Sequence, residues 1–369
     1  MVQKFYKELL FILFISLITT PLWGMEKIIE FDKDISPNTI TLTPMGDLII
    51  TGYTMSPTFG MKDALIAKFK QNGKLIWLRH YGGLFDDWGE DIYANNKKIY
   101  IIGTTNSFGT GCSDIMFLIY SDNGKKEKML PYGSTYCEEA KAFVKDDKGF
   151  AILGKTRGSK SSFILFTNKD GSFREKIKVP HLEYPEGILY KRGVGYLIFG
   201  ATHDFDHDFK IGGYVALYNP DKVFLWEKVL GDKVEYFLKS AAWTDFGIIF
   251  GGFSGLSLYN FWSPLIIKLD LTGDIKYERI FKLKNSAGII KITYYNKKLY
   301  GVGFIKKEGG FHPALFEGDL NDNFKKYIFP YIGELTDIKI QKKTKYYTGY
   351  ILKKDKRILF LGSKFINGR

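Results

Sequence analysis

Short apolar runs, none with a sustained 3.6-residue period, follow one another along the chain, and the same run keeps returning. An apolar, β-rich segment ending in glycine occurs at Leu48–Gly52, Tyr100–Gly103, Phe150–Gly154, Tyr196–Gly200, Gly247–Gly251, Leu299–Gly303 and Tyr346–Gly349. The glycine-to-glycine steps are 51, 51, 46, 51, 52 and 46 residues. A second marker keeps the same period: the turns Asn72-Gly73, Asn123-Gly124, Asp170-Gly171, Pro220-Asp221, Thr272-Gly273 and Asn321-Asp322. Asn-Gly and Asp-Gly predict two-residue type I′ hairpins, whose two central residues both take positive φ. Two markers with one period give seven copies of a unit of about 49 residues.

Each copy reads as four short strands separated by turn residues. In the second they are expected at Asp91–Ala94, Lys98–Thr104, Asp114–Tyr120 and Lys126–Leu130. The last copy supplies three strands, around Asp337–Gln341, Tyr346–Leu352 and Arg357–Lys364, while Lys27–Asp32 is a strand with no partners of its own. The fold class is therefore all-β: a seven-bladed β-propeller of four-stranded antiparallel blades, its ring closed by the N-terminal strand.

Residues 1–24 stand apart. Lys4 and Lys7 precede the apolar run Leu9–Ile18, which fades through Pro21 towards Gly24. This is the layout of a cleavable secretory signal, and the run is too short for a spanning helix. Residues 25–369 are expected to form one propeller domain, exported to the periplasm, the cell surface or the medium and monomeric.

Composition narrows the classes. With 45% hydrophobic and 17% aromatic residues the chain can bury a large core, and two cysteines cannot build a disulfide-dense scaffold or a four-thiolate zinc site. The net charge of +13 is uneven: Ile275–Arg369 holds 21 Lys+Arg against 8 Asp+Glu, so the rest is nearly neutral. Export argues against nucleic acid as the partner of that basic edge. An anionic lipid or acidic glycan is the sharper reading, and solvated turns are the plainer one.

The stretch Trp77–Gly124 carries W-x-x-x-Y-G-G, an Asp, a β run, G-T-T-N-S-F-G-T-G, Asp114, an apolar strand and Asn-Gly. It resembles the repeat of secreted bacterial and archaeal β-propeller-repeat proteins. The first two copies match it closely, with Asp63 and Asp114 in equivalent places. Later copies have Ser161, Gly212, Ser263 and His312 there. The resemblance implies a fold and an exported location, and transfers no catalytic residue.

The long loops Tyr53–Lys62, Thr104–Ser113, Ala201–Ile211 and Gly252–Trp262 fall on the face that also carries the blade-to-blade connections, so function is expected there. Cys112 and Cys137 both map to that face and are expected to form a disulfide in an oxidising compartment. The loop Thr202–Phe209 places His203, Asp204, Asp206 and His207 together as candidate ligands for a divalent cation, with His181 and Glu183 in the neighbouring connection. The spacing matches no H-E-x-x-H or calcium loop, and a solvated acidic loop is the plainer reading. No other cofactor is predicted.

Acids also stand 15 to 17 residues before the repeat glycine in five copies: Asp87, Glu138, Glu183, Glu235 and Glu334, with Ser36 and Ala287 in the other two. Repetition by blade favours a structural role, accepting backbone N–H groups at the turn, over a ring of carboxylates that attracts a ligand. Trp77 and Trp226 read as inter-blade packing. Tyr259, Phe261 and Trp262 form a candidate binding surface. The sequence thus points to a non-catalytic binding or scaffold module for a protein, glycan or anionic envelope component. The alternative is a metal-assisted hydrolase or lyase on the loops of blades three and four.

Overall fold

The computed structural model describes residues 25–31, 34–55, 61–204, 210–231, 234–256, 261–320, 324–354 and 356–366. Seven four-stranded antiparallel sheets follow one another around a ring. The first strands of the blades are Ile35–Leu42, Asp87–Ala94, Glu138–Lys145, Tyr184–Lys191, Glu235–Thr244, Ala287–Tyr295 and Gly333–Gln341. Each touches the first strand of both neighbouring blades, all the way round, so these seven strands are innermost and enclose the channel. Blade 7 runs Gly333–Gln341, Thr344–Lys353, Lys356–Phe365, and its outer strand is Met25–Ile29, paired antiparallel with Lys27 opposite Leu361. The closing strand lies two residues upstream of the expected start.

Each blade is buried on both faces, which explains the unbroken apolar middle strands such as Asp114–Ser121 (DIMFLIYS) and the polar outer ones such as Lys126–Tyr132. The core is divided among the seven inter-blade gaps. In one of them, Tyr346, Leu359 and Leu361 of blade 7 pack with Ile35, Leu48, Ile50 and Phe69 of blade 1 and seal the ring. The two tryptophans span such gaps as expected. Trp77 Nε1 donates to Asp122 O at 3.1 Å and Trp226 Nε1 to Leu271 O at 2.9 Å, each reaching the hairpin of the next blade.

Two local expectations change. The Asn-Gly turns are not type I′: Gly73, Gly124, Gly171 and Gly273 take positive φ, but the residues before them do not. Gly73 N donates to Lys70 O at 2.8 Å, and the register shifts between Lys68 and Phe69, so the glycine fills the left-handed position of a bulge that follows the turn. Turns with two positive-φ residues occur instead at Asn296-Lys297 and Lys342-Lys343, in two-residue loops between first and second strands.

The second change concerns the inner strands. That of blade 2 begins at Asp87, four residues before the expected Asp91, because a β-bulge between Gly89 and Asp91 breaks the alternation by which the strand would be recognised. The same bulge recurs in all seven blades. It also accounts for the recurring glycine, which pairs with the residue just before the bulge. A Cβ on Gly52, Gly103, Gly200, Gly303 or Gly349 would stand about 2 Å from an inner-strand carbonyl oxygen, for instance 2.0 Å from that of Trp88 at Gly103. In blade 5 the equivalent residue is Gly252, 1.9 Å from Phe237 O by the same measure, and not Gly251.

Candidate channel-mouth site

The bulges set the chemistry of the channel. The bulged residues, in order round the ring, are Asn38, Glu90, Lys141, Glu186, Lys239, Ile290 and Thr336. Charge therefore alternates carboxylate, ammonium, carboxylate, ammonium over blades 2 to 5 and is missing from blades 6, 7 and 1. Because the inner strands start at the connection face, this ring lies near the mouth on that face. A cavity of about 360 Å³ opens there, lined by Glu90, Glu139, Lys141, Lys155, Tyr184, Pro185, Glu186 and Lys239.

Most of these charges are already matched. Lys239 pairs with Glu186, and Lys141 lies 3.4 Å from Glu139, which also takes Arg157 at 3.0 Å. Glu90 is different: its Oε1 accepts from Trp88 Nε1 at 2.6 Å, and no ammonium or guanidinium lies within ion-pair distance among the described residues. Burial pushes its carboxyl up to about 7 against the pull of Lys141 and the Trp88 bond, while Glu186 and Asp91 add to the rise. Lys155 likewise has no carboxylate partner among the described residues; its Nζ stands 4.9 Å from the centre of the Tyr184 ring.

One residue further along each inner strand, a second layer stitches blades together. Asp337 Oδ2 of blade 7 accepts from Ile40 N of blade 1 at 3.0 Å, Asp91 Oδ2 of blade 2 from Phe143 N of blade 3 at 3.3 Å, and Ser240 Oγ of blade 5 from Ile292 N of blade 6 at 3.1 Å. Burial alone would lower Lys291, yet Asp337, Asp91 and Glu186 outweigh it and hold its ammonium above the usual range. Burial would raise Asp337, but Lys339, Lys291, Thr39 and Ile40 N–H outweigh it and hold the carboxyl below its usual range. Burial raises Glu334, opposed by Lys239 of blade 5 and by Arg357 of its own blade.

The five acids before the repeat glycines divide in their roles. Asp87 accepts from Gly83 N at 2.8 Å and Ser107 Oγ at 2.6 Å, and Glu138 from Ser134 N at 3.2 Å and Ser134 Oγ at 2.6 Å, which is the turn role expected. Glu183 instead holds His203 Nδ1 at 2.7 Å, Glu334 faces the channel charges, and Glu235 is buried.

The candidate cation loop is only partly described. Asp206 and His207 lie outside the described residues, as does the side chain of Asp204. His203 is held by Glu183, whereas His181 turns away to Glu227 Oε1 at 2.6 Å, so the two histidines do not converge. Among the described residues, no three His, Cys, Asp or Glu side chains come together as a metal would require. Tyr259 also lies outside the described residues. Phe261 is exposed, while Trp262 is half-buried against Phe237 and Phe253, with ring centres 5.3 and 5.2 Å away.

Cys112 and Cys137 form the expected disulfide, joining the long loop of blade 2 to the connection into blade 3, with Cα atoms 5.0 Å apart. Backbone bonds flank it: Glu138 N to Ser113 O and Arg157 N to Cys137 O, both 2.8 Å. Next to it lies a larger cavity of about 460 Å³, lined by Met61, Leu84, Phe85, Asp86, Asn106, Gly111 and Cys112, with Asp86 its one charged residue. It holds no converging charges, and so offers less chemistry than the mouth. The basic edge is partly neutralised: Lys345 is buried against Glu317 at 2.6 Å and Lys353 meets Glu30, while Lys342, Lys343, Lys354 and Lys356 are exposed.

The channel-mouth charges were missed in the sequence, although a signal exists. Counted back from the structurally equivalent glycines, the bulged residue always stands 13 or 14 positions earlier, two to four places after the five acids that precede the repeat glycines.

No known protein family matches the chain, and no curated protein does either. Solved structures do resemble it in fold. The β-propeller domain of the Trilobed protease from Pyrococcus furiosus, described as having an open velcro topology, superposes with a TM-score of 0.58 at 10% identity, covering 93% of this chain and 97% of that one. The AfRom2 CNH domain gives 0.52 at 8% identity over 94% and 100%, and the Dos1 propeller 0.51 at 11% over 92% and 93%. At such identities the likeness is one of fold alone.

Proposed function

We propose that this protein is an exported, non-catalytic binding propeller that takes its ligand, from a protein, glycan or envelope component, at the channel mouth on the connection face, in keeping with the resemblance of its first two blades to secreted β-propeller-repeat proteins. The observation that carries this reading is the convergence of Glu90, Glu139, Glu186, Lys141, Lys155 and Lys239 on one cavity of about 360 Å³. A surface that served only as scaffold would have no reason to gather six charges from four blades, since desolvating them is costly. The Cys112–Cys137 disulfide supports export, because such bonds persist in oxidising compartments. Among the described residues no helix is long and apolar enough to cross a membrane.

The test compares the wild-type protein with Lys141→Trp, which fills the mouth. Both are passed through an extract of small metabolites and envelope fragments, and what they retain is identified by mass spectrometry. Components retained by the wild type and lost from the filled, folded variant support the reading, and identical retention contradicts it. The metal-assisted alternative has one observation in its favour, the Glu183–His203 bond, which fixes the orientation of an imidazole as a carboxylate does for a metal-ligating histidine. Metal analysis of the purified protein decides that point.

A further inference from the structure

We infer that the ligand of the channel mouth is a small zwitterion of the amino-acid or dipeptide class, its ammonium against Glu90 and its carboxylate against Lys155. This rests on the mouth being the binding site and deepens that reading by naming the chemistry.

Of the six charges lining the cavity, Glu186 and Lys239 neutralise each other, and Glu139 is shared between Lys141 and Arg157. Two remain: a carboxyl on the blade 2 side and an ammonium on the second strand of blade 3. Both line one cavity, and they do not pair with each other. Charges of opposite sign held apart in a partly desolvated pocket are matched by a ligand that carries both signs at a fixed separation. A purely anionic ligand would leave Glu90 repelling it, and a purely cationic one would leave Lys155 doing so. The six lining charges, three carboxylates and three ammonium groups, sum to zero when Glu90 is ionised and so favour a ligand that is neutral as a whole.

Size and shape agree. A cavity of about 360 Å³ is at the small end of ligand pockets, suited to one or two residues and not to a folded segment. Tyr184 and Pro185 supply the uncharged part of its wall. Protonation also matters: Glu90 attracts an ammonium only when ionised, and burial holds its carboxyl up to about 7. Affinity therefore rises with pH through the neutral range.

Calorimetry at pH 8 with three probes tests this: alanyl-alanine, N-acetyl-alanyl-alanine and alanyl-alanine amide. The free dipeptide is expected to bind, and blocking either end to weaken binding tenfold or more. Glu90→Gln is expected to abolish discrimination against the acetylated probe and Lys155→Met that against the amide, each variant first shown to be folded by circular dichroism. Equal binding of all three probes, or none by the free dipeptide, overturns the zwitterion. If the dipeptide fails while Lys141→Trp still loses extract components, the ligand class is wrong and the mouth stands. If the dipeptide binds the filled variant as tightly as wild type, the mouth is wrong.

Discussion

Asp337 accepts a hydrogen bond from the Thr39 hydroxyl at 2.6 Å across 298 residues of chain, and so joins the last blade to the first on the channel wall. The same carboxylate oxygen takes Ile40 N, its other oxygen takes Ile338 N at 2.7 Å, and Lys339 stands 3.6 Å away. Ring closure thus has a polar component beside the apolar seal of Leu359 and Leu361 against blade 1. Thr39→Val removes one donor and is expected to cost about 1 kcal/mol in chemical denaturation. Asp337→Ala strands several donors and two ammonium groups, and is expected to cost about 3 kcal/mol. Because Asp337 is held below its usual range, its contribution is full above the ordinary carboxyl value of 3.8 and is lost as pH falls through the lower folded value. The steeper acid unfolding of wild type relative to Asp337→Asn checks that direction.

Glu90 has the opposite linkage. Its carboxyl rises from an ordinary 4.5 to about 7 on folding, so its stabilising effect is full below about 4.5 and is lost as pH rises through about 7. Glu90→Gln, which stays neutral, is expected to flatten the fall in stability between pH 5 and 8 and to be the more stable protein at pH 8. Melting temperatures of both proteins across that range give the comparison.

The disulfide closes a separation of 25 residues, for which chain entropy gives about 3 kcal/mol. Cys112→Ser with Cys137→Ser is expected to lose about that much. Hydrogen exchange should show the loss concentrated around Ser113, Glu138 and Arg157, whose backbone bonds flank the bridge.

The repeat glycines predict their own intolerance. At Gly103 a Cβ would meet the Trp88 carbonyl oxygen at 2.0 Å, a backbone atom that cannot swing aside. Gly103→Ala is expected to cost about 3 kcal/mol by denaturation, as overpacking against a rigid partner does.

These glycines also show what was legible. A glycine stands opposite the bulge in every blade, in six of them because a Cβ would strike an inner-strand carbonyl and in blade 3 because Gly154 faces the Phe163 ring, so the period, the blade number and the closing strand could be read from Leu48–Gly52 and its six relatives. The bulge itself could not, because inserting Glu90 or Lys141 breaks the two-residue alternation that marks a strand, and the inner strand of blade 2 consequently looked four residues too short. The channel charges were hidden for the same reason. Glu90, Lys141, Glu186 and Lys239 are far apart in sequence and sit at positions that resemble turn, and only the ring brings them together. The Cys112–Cys137 pair was legible because loop placement in a propeller follows directly from strand order. His181 and His203 were grouped because their connection and loop are neighbours on one face, but Glu227 and Glu183 draw them to different partners.

We propose the channel mouth as a binding site built around a carboxyl, that of Glu90, with no ion-pair partner among the described residues. Its most direct test is the carbon-13 NMR titration of the Glu90 side-chain carboxyl in the free protein and with alanyl-alanine added. The prediction is a midpoint near 7 in the free protein that moves downward when the dipeptide's ammonium arrives. A midpoint at the ordinary 4.5, or one that no ligand retained by the protein displaces, would contradict it.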